Sequence, residues 1–141
     1  MGFSRVLRSV LVGLVVTAGA TLGVASSAYA SGGGCATSSQ TVKDGTAPWN
    51  IGSCSSDDGV NVYGDAYVNV VGYQAGGCNI KLQIIDQNTH LEVAARQDSC
   101  YAGHHPRISA RMATGHTYRT TTRLNTNMIY RYWFSPITKC C

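Results

Sequence analysis

From Val60 onward the chain alternates apolar and polar residues with a period of two, and that period leaves little but strands to build with. Val60 and Val62 alternate with Asn61 and Tyr63. Ala66, Val68 and Val70 alternate with Tyr67, Asn69 and Val71, after a break at Gly64-Asp65 that reads as a bulge or tight turn. Cys78, Ile80, Leu82 and Ile84 share one side, and Asn79, Lys81 and Gln83 the other. Leu91, Val93 and Ala95 repeat the pattern against His90, Glu92 and Arg96. Turns are expected at Ala75-Gly76-Gly77 and Asp86-Gln87-Asn88-Thr89. These segments read as an antiparallel meander with one face in the core.

The C-terminal third continues in the same way. Ile108, Ala110 and Met112 alternate with Arg107, Ser109 and Arg111. Tyr118, Thr120, Thr122 and Leu124 alternate with Arg119, Thr121 and Arg123. Thr114-Gly115-His116 reads as a hairpin loop between them, and Asn125-Thr126-Asn127 as the next turn. Ile129 to Ser135 is a last strand, ended by Pro136. No apolar stripe of helical period occurs after residue 30. Turn signals every eight to twelve residues predict an all-β fold: a small, disulfide-stapled antiparallel β-sandwich or barrel.

Three regions follow. Residues 1–30 read as a secretory signal peptide: a basic head at Arg5 and Arg8, an apolar run from Val10 to Ala25, and small residues in Ala28-Tyr29-Ala30. Residues 31–58 are rich in Gly and Ser and read as an extended arm, anchored by Trp49 and Ile51. Residues 59–141 form the β-sandwich domain. The expected location is therefore extracellular.

All six cysteines (Cys35, Cys54, Cys78, Cys100, Cys140, Cys141) follow the leader, as disulfides formed in an oxidising space would require. Cys78 and Cys100 bracket the central hairpin and are expected to pair. Cys35 and Cys54 would then take Cys140 and Cys141 in either order, tying the arm to the C-terminus.

Charge is split along the chain. Ser31 to Asp98 holds three basic residues (Lys43, Lys81, Arg96) and all seven acids, whereas Ser99 to Cys141 holds six basic residues and no acid. With the hairpin at 114–116, Arg111 would lie across from Arg119, and Arg107 across from Arg123. Four guanidinium groups would crowd one face, and like charges placed opposite each other destabilise a strand pair unless an anion or an acidic surface relieves them. Tyr118 and Trp133 would flank that face as stacking anchors, with Tyr130 and Tyr132 beside them. Trp49 would let the arm insert into a partner's cleft.

Catalysis has less to stand on. His104, His105 and His116 lie near arginines, and two histidines with a cation are the least that acid–base cleavage of RNA needs. A small secreted ribonuclease is thus the alternative reading. There is no Gly-x-Ser-x-Gly elbow, no Cys-x-x-Cys pair and no phosphate- or dinucleotide-binding glycine pattern, so no cofactor is expected. No metal site is expected either: His104 and His105 are adjacent on an extended chain and point apart, and Asp57-Asp58-Gly59 reads as a turn. The expectation is a secreted, non-catalytic binding protein, an adaptor or inhibitor subunit, with a secreted toxin complex as one setting. Its partner would be another extracellular protein, met through the Arg/aromatic face or the arm. An anionic ligand is compatible with that face; membrane and nucleic-acid partners are not expected.

Overall fold

A computed structural model describes residues 32–140. The leader expected over 1–30 and the bonding expected of Cys141 lie outside those residues. Nine strands follow one another: β1 (Gly34–Gln40), β2 (Trp49–Asp57), β3 (Asn61–Val70), β4 (Cys78–Asp86), β5 (Glu92–Ser99), β6 (Gly103–Arg111), β7 (Thr117–Thr126), β8 (Ile129–Phe134) and β9 (Thr138–Lys139). One antiparallel sheet has the order β1-β2-β3-β6. The other runs β5-β4-β7-β8, with β9 beside the start of β7. The expected all-β, disulfide-stapled sandwich is what forms.

The inward residues of the period-two segments make the core. Trp49, Ile51, Val68, Ile80, Leu124 and Trp133 pack together at one end, with Val42 from the loop after β1. Val62, Ile84 and Tyr118 pack at the other. Between these clusters the sheets meet across hydroxyls. Ser53 Oγ donates to the Thr120 carbonyl at 3.3 Å and accepts from Thr122 Oγ1 at 3.0 Å, and Ser55 Oγ lies 2.6 Å from Thr138 Oγ1. All five residues are buried, and these bonds offset their lost hydration.

The order of strands corrects the expected meander. β3 and β4 lie in different sheets, as do β5 and β6. The break at Gly64-Asp65 is a bulge: Gly64 opposes Ile108 and Ala66 opposes His105, so one residue of β3 faces two of β6.

The expected hairpin at 114–116 is also corrected. β6 pairs with β3, and β7 pairs with β4, β8 and β9. The connection over 112–116 crosses from one sheet to the other, held by Met112 N–H to the Val60 carbonyl and His116 N–H to the Ala113 carbonyl. The turn expected at Asn125-Thr126-Asn127 falls two residues later, at Asn127-Met128.

The arm is corrected as well. Its residues form the β1–β2 hairpin, with Cys35 opposite Cys54. β2 lies between β1 and β3. It looks loop-like in sequence because Ser53 and Ser55 occupy inward positions, where cross-sheet hydroxyl bonds replace apolar contacts. Trp49 and Ile51 anchor it, both fully buried.

Cys78 bonds Cys100, as expected. Cys35 bonds Cys54, so neither is available to the C-terminal cysteines, and the expected tie from arm to C-terminus does not form. The reason is local: antiparallel pairing already sets the two Cα atoms 4.0 Å apart. Two disulfides are consistent with an extracellular protein.

Candidate functional site

The arginines divide between the two sheets. On the outer side of the β1-β2-β3-β6 sheet, the Arg107 guanidinium lies over the Tyr63 ring, 4.6 Å from its centroid. Tyr63 OH donates to Asp58 at 2.5 Å. That bond, with the Asn61 and Val60 N–H groups, holds the Asp58 carboxyl well below the usual carboxylate range. Arg111 ends β6, opposite Asn61. Nearby, His104 stacks on Tyr67 and lies 3.1 Å from Asp65. Arg107, Asp58, His104 and Asp65 thus each have a side-chain partner on this side.

Arg119 and Arg123 are positioned differently. They sit four residues apart on β7, on the outer side of the β5-β4-β7-β8 sheet. Strand alternation fixes that, because Tyr118, Thr120, Thr122 and Leu124 point inward and are buried. On β8 the same alternation sends Trp133 inward and Tyr130, Tyr132 and Phe134 outward, at 43%, 42% and 50% exposure. Register then brings the two sets together: Thr121 opposes Phe134, Arg123 opposes Tyr132 and Asn125 opposes Tyr130. The Arg119 guanidinium lies 5.8 Å from the Phe134 ring centroid, and that of Arg123 5.5 Å from Tyr130. Tyr132 and Phe134 run nearly parallel, 6.4 Å apart. The Nε atoms of both arginines are buried and have no hydrogen-bond partner among the described residues.

Lys81 adds a third cation, opposite Arg123 on β4. Its Nζ lies 2.7 Å from Glu92 at the start of β5, which Gln83 also bonds. Lys81 and then Gln83 lower the Glu92 pKa. Aromatic rings therefore edge this surface while cations and amides fill its middle. Such a surface can stack planar or apolar groups and capture carboxylates by the guanidinium fork.

The sheet edges are less open to a partner. Gln40 Nε2 donates to the Tyr132 carbonyl at 2.7 Å, and Arg131 to the Tyr130 carbonyl at 2.9 Å, so side chains cap edge strand β8. Trp133 Nε1 caps the Ser38 carbonyl of β1 at 2.9 Å. β6 carries Pro106, and β5 carries a bulge and the Arg96–Asp98 pair. Proline, bulges and charges are what keep strands from adding to an edge.

Of the seven binding residues expected from sequence, Arg119 and Arg123 share this surface. Arg107 and Arg111 lie on the opposite sheet. Tyr118, Trp133 and Trp49 are core residues rather than anchors for a partner: Tyr118 OH accepts from Ala113 N–H at 2.7 Å, and Trp49 Nε1 donates to the Tyr73 carbonyl at 3.0 Å. Phe134, Lys81 and Gln83 belong to the surface and were missed. The repeat Tyr130-x-Tyr132-x-Phe134 was the signal for the first of them.

The histidines do not converge. His104 opens β6 and His116 lies beyond its far end; at about 3.3 Å per residue the strand between them spans roughly 20 Å. His116 is held by Asp86 and His104 by Asp65. His105 is buried, stacked on Tyr101, with Nε2 3.2 Å from the Tyr101 carbonyl.

Compared with known proteins, the chain matches no protein-family model, no curated protein and no solved structure.

Proposed function

We propose that this is a secreted, non-catalytic binding protein that presents the outer face of its β5-β4-β7-β8 sheet to another extracellular protein, as an adaptor or inhibitor subunit. The observation that carries this reading is the row Tyr130, Tyr132 and Phe134, half-exposed, with Arg119 and Arg123 laid against its rings. Tyrosine and arginine dominate the energetics of protein interfaces, because each brings a large contact area and few freely rotating bonds per hydrogen bond formed. The arginines' charge directs the choice toward an acidic partner and quickens encounter. The capped edges favour a face over strand addition.

The test is capture from the producing organism's culture supernatant by the tagged protein, beside an Arg119→Ala/Arg123→Ala variant. A stoichiometric protein retained at low salt, released at high salt and lost with the variant is the expected result. Arg111→Ala, on the other sheet, should retain it. Equal retention by the double variant, or recovery of the bait alone, overturns the reading.

A further inference from the structure

The hairpin that carries the aromatic row ends in a two-residue loop, Asn127-Met128, between paired Thr126 and Ile129. Both loop residues have positive φ, 48° and 64°. This is the turn whose twist suits a two-residue hairpin, and the sequence that fits it best is Asn-Gly. Asn127 suits its place, because asparagine tolerates the left-handed region. Met128 stands where glycine belongs and holds a conformation that a side chain with a Cβ disfavours.

Burial of the side chain does not compensate Met128. It is 84% exposed, more than any other large apolar residue among those described. The loop is nonetheless fixed: Asn125 Oδ1 accepts from Met128 N–H at 3.2 Å, and the Gly77 carbonyl accepts from Asn127 N–H at 3.2 Å. Met128 is therefore a flexible, polarizable side chain on a rigid, strained mount. Backbone strain of this kind collects where a protein binds or reacts. A thioether adapts to apolar surfaces of varied shape.

We infer that Met128 is a partner-contacting anchor, and that the partner segment it meets is apolar with carboxylates beside it. The inference rests on the binding face proposed above, and it names the chemistry of what that face takes. From Met128 to Phe134 the hairpin spans roughly 20 Å, long enough for several residues of an extended segment. Arg119 and Arg123 call for acid alongside, since Glu92 is already engaged by Lys81 and Gln83. A second copy of this chain does not fit, since stacking the two faces would set the arginines against each other.

The test uses the secreted chain with methyl-labelled methionine and short synthetic peptides: Glu alternating with Leu, Glu with Ser, and Lys with Leu. The Glu/Leu peptide should move the Met128 methyl resonance and bind more tightly than the other two. Met128→Gly should weaken that binding by roughly tenfold. The same variant should raise Tm by about 4 °C, because glycine relieves the turn. Met128→Leu, which keeps both the apolar group and the strain, should retain binding.

Unchanged Glu/Leu affinity in Met128→Gly overturns the inference, as does a methyl that no Glu/Leu peptide moves, or equal binding of Glu/Ser. It also falls if an oligouronate shifts the Tyr130–Phe134 signals and the Glu/Leu peptide does not. These results leave the face reading intact so long as Arg119→Ala/Arg123→Ala abolishes the anion binding that remains. If that double variant changes nothing, the face reading fails too.

Discussion

His116 Nδ1 lies 2.7 Å from a carboxylate oxygen of Asp86, joining the β4–β5 turn to the crossing between β6 and β7. Burial by itself would raise the Asp86 pKa. The bond to His116 and the N–H groups of Asn88 and Thr89 outweigh it, and the folded-state value lies below the ordinary 3.8. A carboxyl whose pKa is depressed on folding adds stability that is present above its unfolded pKa and lost as pH falls through its folded one. Wild type should therefore exceed Asp86→Asn in stability near neutrality, and the gap should narrow as pH drops from about 5 to about 2. Urea denaturation across that range reads it; a constant gap would mean that the pair does not act this way.

Non-reducing peptide mapping should recover Cys35 linked to Cys54 and Cys78 linked to Cys100. Replacing either pair by alanine should cost about 3 kcal/mol, since each closes a loop of similar length, with sequence separations of 19 and 22. A linked peptide joining Cys35 or Cys54 to the C-terminus would contradict the β1–β2 register.

Gly64 sits beside the bulge between β3 and β6, where a Cβ would meet Thr120 Oγ1 at 2.5 Å, Thr120 Cγ2 at 2.9 Å and Ile84 Cγ1 at 3.1 Å, all on the facing sheet. Gly64→Ala has to push the sheets apart locally. A loss of about 1–3 kcal/mol is expected in thermal or chemical unfolding. A neutral effect would show that the sheets yield more easily than close packing implies.

Tyr118 serves both the core and the crossing over 112–116, because its ring is buried beside Val62 and Ile84 while its OH accepts the Ala113 N–H. Tyr118→Phe keeps the ring and strands that N–H, at a cost of about 1 kcal/mol. Tyr118→Ala also empties the core, at about 3–5 kcal/mol. Denaturation midpoints of the two variants separate the contributions; equal losses would mean that the ring adds nothing beyond its hydroxyl.

Alternation in the sequence shows which side of a strand each residue takes, and for β3, β4, β6 and β7 that side agrees with burial; on β5 it does not, because the bulge opposite Ile84 and Ile85 turns Ala94 toward the core and leaves Leu91, Val93 and Ala95 outside. It carries no information about which sheet a strand joins. Arg119 and Arg123 were bound to share a face, being four apart on one strand; whether Arg107 and Arg111 joined them depended on a pairing between β6 and β7 that does not exist. Strand β2 was illegible for another reason. Ser53 and Ser55 look solvated until Thr120, Thr122 and Thr138 arrive from the other sheet to bond them. Trp133 and Tyr118 read as surface anchors in the sequence because an aromatic residue carries the same letter on either side of a strand. Cys78 and Cys100 were readable because the hairpin between them is local.

The interior position of β7 has a consequence for the order of assembly. β4 and β5 can pair as soon as Ser99 exists, but their sheet gains its second central strand only with Thr117–Thr126, and its far edge only with Ile129–Phe134. The hydroxyls of β2 likewise wait for Thr120, Thr122 and Thr138. A chain cut short before β7 holds every strand of the β1-β2-β3-β6 sheet but only the β4–β5 hairpin of the layer that faces it, and a lone hairpin is marginal in water. Closure of the sandwich thus waits for Thr117–Phe134, so a growing chain stays pliable until those residues have been made.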